Sequence, residues 1–384
     1  MNRSSRPPKR FPALNAVAAF AALTLIVVLL SGCASSGKQT VSAPISAPTE
    51  TLPDAPPGNA IQLTPITMAQ VQNPAVQVTT LITPIPTVTP TPDPIYAIPQ
   101  TPEQEATRNL LNDEGGVYGF VVLDASGSLV ATYNSFTPFV TASTYKLILM
   151  ADIYRRIEEG EYGQWDEIYL DPANFDEGGG DNYYNWESAG TYTTLQELLF
   201  AVGAWSSNVA AHTLLTLTTP EALNATAKSI GMLRTCILCD PYSLDFWPPA
   251  PGIDSSREDM KLALDYIAVE AESGPVNLTT PYDMAVYQLG ILNDTVISPW
   301  VSQQIFEVLS QQAIRDRLNV YNENYVVMSK PGNLAGVVND TALIFLPNGP
   351  RAVAALSINV PDDKRATKII QLLGAIANGT TNLP

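Results

Sequence analysis

Ser143-Thr144-Tyr145-Lys146 stands at the start of an apolar stretch, residues 147–157, that has the periodicity of a helix. Residues three positions apart share a face of a helix, so the Lys146 amine can reach the Ser143 hydroxyl. A serine becomes a good nucleophile when an adjacent base takes its proton. The chain has a single histidine, which makes a lysine with a lowered pKa the more available base. Taken alone, the pattern is also typical of a solvated helix turn.

Two further motifs follow along the chain. Ser206-Ser207-Asn208 interrupts the apolar stretch of residues 198–215, and Lys330-Pro331-Gly332 lies between strand-like runs at 325–329 and 341–346. Each motif has an ordinary structural interpretation. Ser206 and Asn208 can be polar groups satisfied within a helical hairpin, and Lys330 can be a solvated lysine at a strand end. The three motifs in this order carry more information than any one of them.

In order and rough spacing, these motifs resemble the S-x-x-K, S-x-N and K-T-G motifs of serine β-lactamases and penicillin-binding proteins. Thr279-Thr280-Pro281 resembles the segment that opens a helix in class A β-lactamases. Asn339-Asp340-Thr341, with the apolar residues after it, resembles the strand that follows K-T-G in that family. The resemblance covers roughly residues 101–379 and implies a class A β-lactamase-like or penicillin-binding serine hydrolase.

Strand-like patterns cluster at the two ends of this region. They occupy residues 117–123 and 129–133 near its start and 325–329, 341–346 and 353–360 near its end. Helical patterns fill most of the interval. This order predicts an α+β fold in which both ends of the domain form one antiparallel sheet and the intervening helices form an inserted subdomain. The resemblance implies a β-lactamase/transpeptidase-like topology with the active site in the cleft between the two parts.

Three helical patterns bear on the boundaries of the domain and of the site. Thr101-Pro102-Glu103-Gln104 has the composition of a helix start, with Thr as N-cap and Pro at the first position. Residues 195–217 hold helical patterns around Ser206-Ser207-Asn208. Residues 362–378 form a closing helix that Gly379 ends.

The resemblance implies catalytic roles for Ser143, Lys146, Ser206, Asn208 and Lys330. Ser143 would be acylated, and Lys146 would act as its base or as a relay to one. Ser206 would pass a proton toward the leaving nitrogen, while Asn208 would hold the substrate amide and orient Lys146. Lys330 would pair with the substrate carboxylate and help polarise Ser206.

Three further residues are expected to bind substrate. Gly332 would let the substrate backbone approach closely, and the backbone N–H of Asn333 would complete an oxyanion site with that of Ser143. Tyr183, in an aromatic segment after a glycine-rich loop, is a candidate for a wall at the cleft mouth, with a hydrophobic loop anchor as the alternative. His212 is the one histidine available to a Ser-His-Asp triad, but a satisfied core histidine is the expectation.

Three features depart from class A β-lactamases. The middle motif is Ser-Ser-Asn rather than Ser-Asp-Asn, a form that penicillin-binding proteins tolerate. Pro331 replaces the threonine of K-T-G, which removes a carboxylate-binding hydroxyl and an N–H. No E-x-x-L-N segment precedes Thr279, so no deacylating base is identified. The absence of such a base would slow deacylation by on the order of 10²- to 10⁴-fold.

The N-terminus is typical of an exported lipoprotein. A basic segment precedes the apolar residues 11–30, and Leu30-Ser31-Gly32-Cys33 resembles a bacterial lipobox. Residues 1–32 are therefore expected to be a signal peptide and Cys33 the site of lipid attachment. An uncleaved transmembrane anchor is the alternative. Both interpretations place the remainder outside the cytoplasm and tethered to a membrane.

Residues 33–100 are rich in Pro, Thr, Ser and Ala and have few large apolar side chains. Such a segment cannot offset its chain entropy by burial, so we expect a disordered linker with polyproline II character. It would let a lipid-anchored domain reach a cell-wall substrate, or serve as a simple spacer. Residues 101–384 are long enough to bury a large core and are expected to form the catalytic domain.

Charge and cysteine content limit the partners and cofactors. The formal net charge of −17 disfavours binding to nucleic acid and to anionic lipid surfaces. Cys236 and Cys239 form a C-x-x-C motif, for which a local disulfide is expected in an oxidising compartment, with unpaired structural thiols as the alternative. No second Cys pair or His cluster completes a zinc site, so no metal or organic cofactor is expected.

The sequence therefore predicts a membrane-anchored, extracytoplasmic bacterial lipoprotein that is monomeric. Its domain would be acylated at Ser143 and would hydrolyse β-lactam or related amide bonds, with a β-lactam or a peptidoglycan stem peptide as substrate. Two alternatives remain at this point. One is a penicillin-binding or D-alanyl-D-alanine peptidase-like enzyme that deacylates slowly, and the other is a non-catalytic module that binds cell-wall peptide.

Overall fold

The computed structural model describes residues 98–175, 181–239 and 258–383. The predicted signal peptide, Cys33 and almost all of the predicted linker lie outside these ranges, as does the glycine-rich segment 178–180. Within the described ranges, no helix is long and apolar enough to cross a membrane.

The described residues form a mixed α/β domain. Its strands are β1 (Val117–Asp124), β2 (Leu129–Tyr133), β3 (Phe139–Val140), β4 (Glu167–Tyr169), β5 (Tyr192–Thr194), β6 (Cys236–Cys239), β7 (Val276–Thr279), β8 (Val326–Leu334), β9 (Val337–Leu346) and β10 (Gly349–Ile358). Its α-helices are α1 (Pro102–Leu111), α2 (Lys146–Glu158), α3 (Leu195–Ala204), α4 (Asn208–Leu215), α5 (Pro220–Ile230), α6 (Glu258–Ala271), α7 (Pro281–Leu292), α8 (Pro299–Leu309) and α9 (Asp363–Ala377).

The largest sheet has five strands in the order β2-β1-β10-β9-β8, and every neighbouring pair is antiparallel. β1 and β2 come from the start of the domain and β8 to β10 from its end, while α2 to α8 lie between them in the chain. The predicted α+β architecture, with a sheet built from both ends and an inserted helical part, is confirmed. Two smaller sheets, β3-β7-β6 and β4-β5, belong to the intervening chain.

The five-stranded sheet is buried on both faces, which explains why β1 is apolar almost throughout. Val121 and Leu123 belong to a large core that includes side chains of α2, α3, α7 and α8. Phe120 and Val122 belong to a second core, which includes side chains of α1 and α9. Because successive residues of a strand point to opposite faces, β1 joins both helical layers to one sheet.

Several helices begin where a Thr or Ser precedes a Pro. Thr101 caps α1 by accepting a hydrogen bond from the Gln104 N–H, and Thr280 caps α7 by accepting one from the Asp283 N–H. The predicted helix starts at Thr101-Pro102 and Thr280-Pro281 are therefore confirmed. α5 and α8 begin in the same way, because proline has no N–H to leave unsatisfied in the first turn.

The helical patterns expected around the second motif are present, whereas the strand at the third motif is longer than predicted. The helical stretch 195–217 contains two helices, α3 and α4, with Ser206 between them in the left-handed region at φ 59°. The strand expected at 325–329 continues to Leu334 and contains Lys330-Pro331-Gly332. A proline is tolerated there because β8 is an edge strand, where a missing N–H need not break a ladder bond.

A disulfide lies within β6, and a buried carboxylate of α7 binds the two residues that precede this strand. Cys236 and Cys239 occupy the two ends of β6, and the expected disulfide between them is present. Asp283 of α7 accepts hydrogen bonds from the Arg234 N–H at 2.7 Å and the Thr235 hydroxyl at 2.8 Å. Burial raises the pKa of Asp283 to about 6, although these hydrogen bonds act in the opposite direction.

The raised pKa of Asp283 predicts a pH-dependent effect of Asp283→Asn. A carboxyl group with a raised folded-state pKa favours folding below its unfolded pKa, and this contribution is lost as the pH rises through about 6. The amide keeps an acceptor oxygen without the charge. We expect the variant to be more stable than the parent at pH 7.5, by on the order of 2 kcal/mol, and the difference to shrink toward pH 4.

Urea unfolding of the two proteins at pH 4 and pH 7.5 measures this difference. Asp113→Asn, at an exposed position, is the control and should change little at either pH. An Asp283→Asn effect of the same size at both pH values would contradict the prediction.

Candidate active site

Ser143 lies in a short 3₁₀ turn, Ala142–Tyr145, that leads directly into α2. The preceding Ala142 has φ 46°, a left-handed conformation that costs free energy for a residue other than glycine. Asn339 of β9 holds this turn by donating to the backbone oxygens of Val140 at 2.9 Å and Thr141 at 3.1 Å. The nucleophile predicted from sequence is thereby fastened to the five-stranded sheet.

Gly332 of β8 packs directly against the Ser143 turn. A Cβ at position 332 would lie 2.8 Å from the Ser143 nitrogen and 3.0 Å from the Thr141 oxygen. Both are backbone atoms, which cannot move aside as a flexible side chain can. The sequence argument assigned Gly332 to close approach of the substrate backbone, and the structure gives a different reason. The protein's own Ser143 turn occupies the space that a side chain would need.

Lys146 is fully buried and connects the first two motifs. Its Nζ donates to the Ser206 backbone oxygen at 2.6 Å and to Oδ1 of Asn208 at 2.7 Å. The solvated-turn interpretation of Ser143 to Lys146 is therefore wrong, since a solvated lysine would not be removed from water. These two acceptors fix the position of the Lys146 amine next to the second motif.

Lys330 connects the second and third motifs. Its Nζ is fully buried and donates to the Ser206 hydroxyl at 2.7 Å and to the Pro331 oxygen at 3.1 Å. Burial, and then the positive charge of Lys146, lower the pKa of Lys330 well below its ordinary value, while Asp340 opposes them. Lys330 is thus not a solvated strand-end lysine. The Ser206 hydroxyl accepts a hydrogen bond from Lys330, and the Ser206 backbone oxygen accepts one from Lys146.

Asp181 organises the Ser206-Ser207-Asn208 turn, and the sequence argument missed it. Its Oδ2 accepts from the Ser207 hydroxyl at 2.6 Å and the Val209 N–H at 2.9 Å, while Oδ1 accepts from the Tyr183 and Tyr184 N–H groups. Burial alone would raise the pKa of Asp181, but these hydrogen bonds, led by that of Ser207, hold it below its usual value. Its proximity to Ser207 is not readable from the chain because 26 residues separate the two.

Between these elements lies a cleft of about 170 Å³. Its lining brings together residues of all three motifs and of the loop before Tyr183: Ser143, Asn182, Trp205, Ser206, Asn208, Ile314, Pro331, Gly332 and Asn333. Lys146 and Lys330 are buried behind this lining and hydrogen-bonded to it. Asn182, Trp205 and Ile314 are additions to the predicted site. Trp205 could have been found from its position next to Ser206, but nothing in the sequence marks Ile314.

Tyr183 is not part of the cleft lining. Its hydroxyl donates to Glu197, and its ring contacts those of Tyr184, Phe200 and Trp205. The substrate-contact prediction for Tyr183 is therefore corrected to the alternative, a hydrophobic loop anchor. Trp205 is the aromatic residue of the cleft lining, and its ring contacts that of Tyr183.

A buried arginine and a buried aspartate adjoin the cleft at β8 and β9. Arg317 donates from Nη2 to the side-chain oxygen of Asn333, which lines the cleft. Asp340 pairs with Pro331 across the sheet and accepts from the Leu318 N–H at 3.2 Å. Burial raises the pKa of Asp340 to about 7, against the effect of Arg317. Arg317 thus places a buried guanidinium next to Asn333 of the cleft lining.

His212 does not belong to the site. It lies on α4, its side chain is exposed, and its Nδ1 lies 3.3 Å from the Asn174 oxygen. It forms no part of a triad with Ser143. The expectation that His212 is buried in the core is wrong, because its side chain is exposed. Among the described residues, no three His, Cys, Asp or Glu side chains are grouped as metal ligands would be.

Comparison with known proteins agrees with this geometry. The family model described as "Beta-lactamase enzyme family" matches residues 102–381, which is most of the chain, and the chain belongs to this family. No curated protein matches it at a significant level.

Several solved structures share the fold. A β-lactamase from Sphaerobacter thermophilus DSM 20745 is 24% identical over 73% of this chain and 97% of its own, with a TM-score of 0.58. A variant of the class A β-lactamase of the last common ancestor of Gram-negative bacteria, bound to 5(6)-nitrobenzotriazole, is 26% identical over 71% of this chain and 96% of its own, with a TM-score of 0.57. PBP-A is 18% identical over 73% of this chain and 98% of its own, with a TM-score of 0.57.

The contact between Gly332 and the Ser143 turn predicts the effect of Gly332→Ala. The added methyl would displace the turn or β8, and a misplacement near 1 Å costs about 100-fold in rate at a reacting centre. We expect acylation by benzylpenicillin, followed by intact mass, to slow by about this factor. Gly290→Ala also adds a methyl at a tight position, but on α7 away from Ser143, and is the control. Acylation of Gly332→Ala at the parent rate would show that the turn tolerates the methyl.

Removal of Asp181 should loosen the Ser206-Ser207-Asn208 turn. Asp181→Ala loses the acceptor of four hydrogen-bond donors, so we expect a destabilisation of about 2–4 kcal/mol and slower acylation. Because the pKa of Asp181 is lowered, its contribution is present at neutral pH and is lost as the pH falls. Asp171→Ala removes a similar but exposed turn carboxylate and is the matched control.

Chemical denaturation and acylation rates at pH 7 and pH 4 measure both effects. Equal behaviour of Asp181→Ala and Asp171→Ala would disprove the role given to Asp181.

Proposed function

We propose that this chain is a serine hydrolase that is acylated at Ser143 and hydrolyses β-lactam or related amide bonds. One observation carries the proposal: Lys146 and Lys330, from the first and third motifs, are both buried and both hydrogen-bonded to Ser206 of the second. A module that only binds its ligand has no need of two desolvated lysines beside a serine. The cost of removing them from water is best explained by proton transfer at the cleft.

Acylation would begin at the Ser143 hydroxyl. Lys146 donates hydrogen bonds to the Ser206 oxygen and to Asn208 Oδ1. In this proposal Lys146 is neutral when the reaction begins, and its lone pair is directed to the Ser143 hydroxyl. Lys146 takes the hydroxyl proton as the Ser143 oxygen bonds to the amide carbon. The backbone N–H groups of Ser143 and Asn333 would bind the oxyanion that forms.

Collapse of the tetrahedral intermediate needs a proton on the leaving nitrogen. The Ser206 hydroxyl is the proposed donor, because it faces the cleft and is hydrogen-bonded to Lys330. Proton transfer from Ser206 to the nitrogen, as the carbon–nitrogen bond breaks, leaves the acyl group on Ser143. The proton that Lys146 took from Ser143 would then pass to Ser206, which restores the Ser206 hydroxyl and the neutral Lys146 amine, while Lys330 holds the Ser206 oxygen by its hydrogen bond.

Hydrolysis of the acyl-enzyme requires an activated water. None of the described residues that line the cleft carries a carboxylate, and residues 240–257 lie outside the described ranges. A β-lactam ring or a peptidoglycan stem peptide is the proposed substrate, since both offer an amide near a carboxylate.

We also propose that the enzyme is a monomeric, extracytoplasmic lipoprotein. This rests on the basic and apolar N-terminal segment, the lipobox-like sequence before Cys33 and the Pro- and Thr-rich residues 33–100. A long tether would suit a domain whose substrate is in the cell wall.

A time course of intact mass with benzylpenicillin tests the chemistry. We expect the full chain, purified in detergent, to gain the mass of one benzylpenicillin and then lose it while penicilloate accumulates. Ser143→Ala should show no adduct, and Lys146→Ala should acylate at least about 100-fold more slowly. Ser128→Ala, at an exposed serine on the turn before β2, is the matched control.

Three results would count against the proposal. An adduct that persists for hours without penicilloate would reject hydrolysis and support the penicillin-binding alternative. An adduct on Ser143→Ala would reject the assigned nucleophile. The absence of any adduct on the parent would reject β-lactam acylation at this cleft.

A further inference from the structure

Arg317 carries a buried positive charge that the proposed chemistry does not use. Only 5% of its surface is exposed, and its Nη2 donates to Oδ1 of Asn333. Nε and Nη1 form no hydrogen bond with any described residue, although Nε lies 3.8 Å from a carboxylate oxygen of Asp316. Removing a guanidinium from water is costly when its donors are incompletely paired, so a contribution to stability does not explain this arginine.

The guanidinium of Arg317 meets the cleft through another side chain. Asn333 belongs to the cleft lining, whereas Arg317 does not, and the two side chains are hydrogen-bonded. Because an arginine has donors only, this bond also fixes which end of the Asn333 amide faces the guanidinium. Any effect of Arg317 on a molecule in the cleft therefore passes through Asn333.

The end of β8 is the part of the cleft wall that most needs such a contact. β8 is an edge strand, and after Gly332 its residues Asn333 and Leu334 are exposed. β9 pairs with this strand end from one side, with Val338 opposite Asn333. Arg317 adds a second contact through the side chain of Asn333, which the backbone ladder does not use.

The segment that carries Arg317 is itself fixed to two other elements. The Leu318 N–H donates to Oδ2 of Asp340 on β9 at 3.2 Å. Earlier in the segment, Nε2 of Gln312 donates to the backbone oxygen of Gly203, near the end of α3, at 2.8 Å. Because both neighbours in the chain are anchored, the guanidinium of Arg317 is a donor with a fixed position.

A displacement of Asn333 would affect the reaction directly. In the proposed function, its backbone N–H and that of Ser143 bind the oxyanion. Such donors act only where the negative charge will form, and a misplacement near 1 Å costs about 100-fold in rate. We propose that Arg317 is a positioning residue, which holds Asn333 so that the N–H of Asn333 meets the oxyanion of the acylation step. This inference rests on the proposed function and adds a residue to its machinery.

Acylation of Arg317→Met by benzylpenicillin, followed by intact mass, tests the inference. Methionine keeps an apolar stem and removes every donor. We expect the maximal acylation rate of the full chain to fall about 10- to 100-fold, while the concentration at half-maximal rate changes by less than about 3-fold. Arg315→Met, at an exposed arginine of the same segment, is the matched control and should acylate like the parent. If Arg317→Met does not fold, as judged by thermal unfolding, Arg317→Lys replaces it in each measurement.

A double-mutant cycle separates positioning from a general loss of structure. Asn333→Ala keeps the backbone N–H and removes the acceptor of Arg317. We expect it to slow acylation by about the same factor as Arg317→Met, and the double variant to be no slower than either, because both substitutions break one link. Factors that multiply in the double variant would overturn the inference.

Benzylpenicillin methyl ester separates this role from direct binding of a substrate carboxylate. The ester keeps the β-lactam ring and lacks the negative charge. We expect Arg317→Met to slow acylation by the ester and by the acid to the same extent, within about 3-fold. A loss seen with the acid alone would reject positioning and assign the guanidinium to the substrate carboxylate.

Hydrogen exchange gives a measurement that needs no substrate. In Arg317→Met, the backbone amides of residues 331–337 should exchange at least about 10-fold faster than in the parent, as followed by mass spectrometry of peptides. Arg315→Met should exchange like the parent. Unchanged exchange in Arg317→Met would disprove the hold on Asn333. A parent that benzylpenicillin never acylates would reject the proposed function, and the exchange result would still judge the role of Arg317.

Discussion

The close packing of the Ser143 turn on the edge of the five-stranded sheet is the constraint on which the rest of the site depends. Only a hydrogen atom fits at position 332, because a Cβ there would meet the Ser143 nitrogen at 2.8 Å. Asn339 holds the same turn from the next strand. This contact joins the inserted helical part to the sheet and sets where the nucleophile lies relative to β8. It also explains how Ala142 can remain in a left-handed conformation.

Two buried lysines then define the chemistry. Removing an ammonium group from water is costly unless acceptors surround it, and Ser206, Asn208 and Pro331 supply those acceptors. The arrangement lowers the pKa of Lys330 and brings both amines to one serine. The turn that carries this serine is in turn held by Asp181. The chemistry therefore depends on a carboxylate that does not line the cleft itself.

Much of the fold was readable from local patterns. The Thr-Pro pairs at 101–102 and 280–281 begin helices, and the apolar runs at both ends of the domain form one sheet. The prediction that the three motifs meet at one site is also confirmed, because residues of all three line the cleft. Errors arose where a side chain's surroundings come from distant parts of the chain. Tyr183 is directed to Glu197 and Trp205 rather than to the cleft, and His212 is exposed although its neighbours in the sequence are apolar.

Residue types and their near neighbours are enough to indicate helices, strands and a serine–lysine chemistry, because caps, periodicity and motif composition act over a few residues. Burial and hydrogen-bond partners are not local. Lys330 and Ser206 are 124 positions apart, and a solvated lysine and a desolvated one have the same sequence signature. Only the folded chain decides between them, since the pKa of an amine depends on the water it has lost and on the charges that surround it.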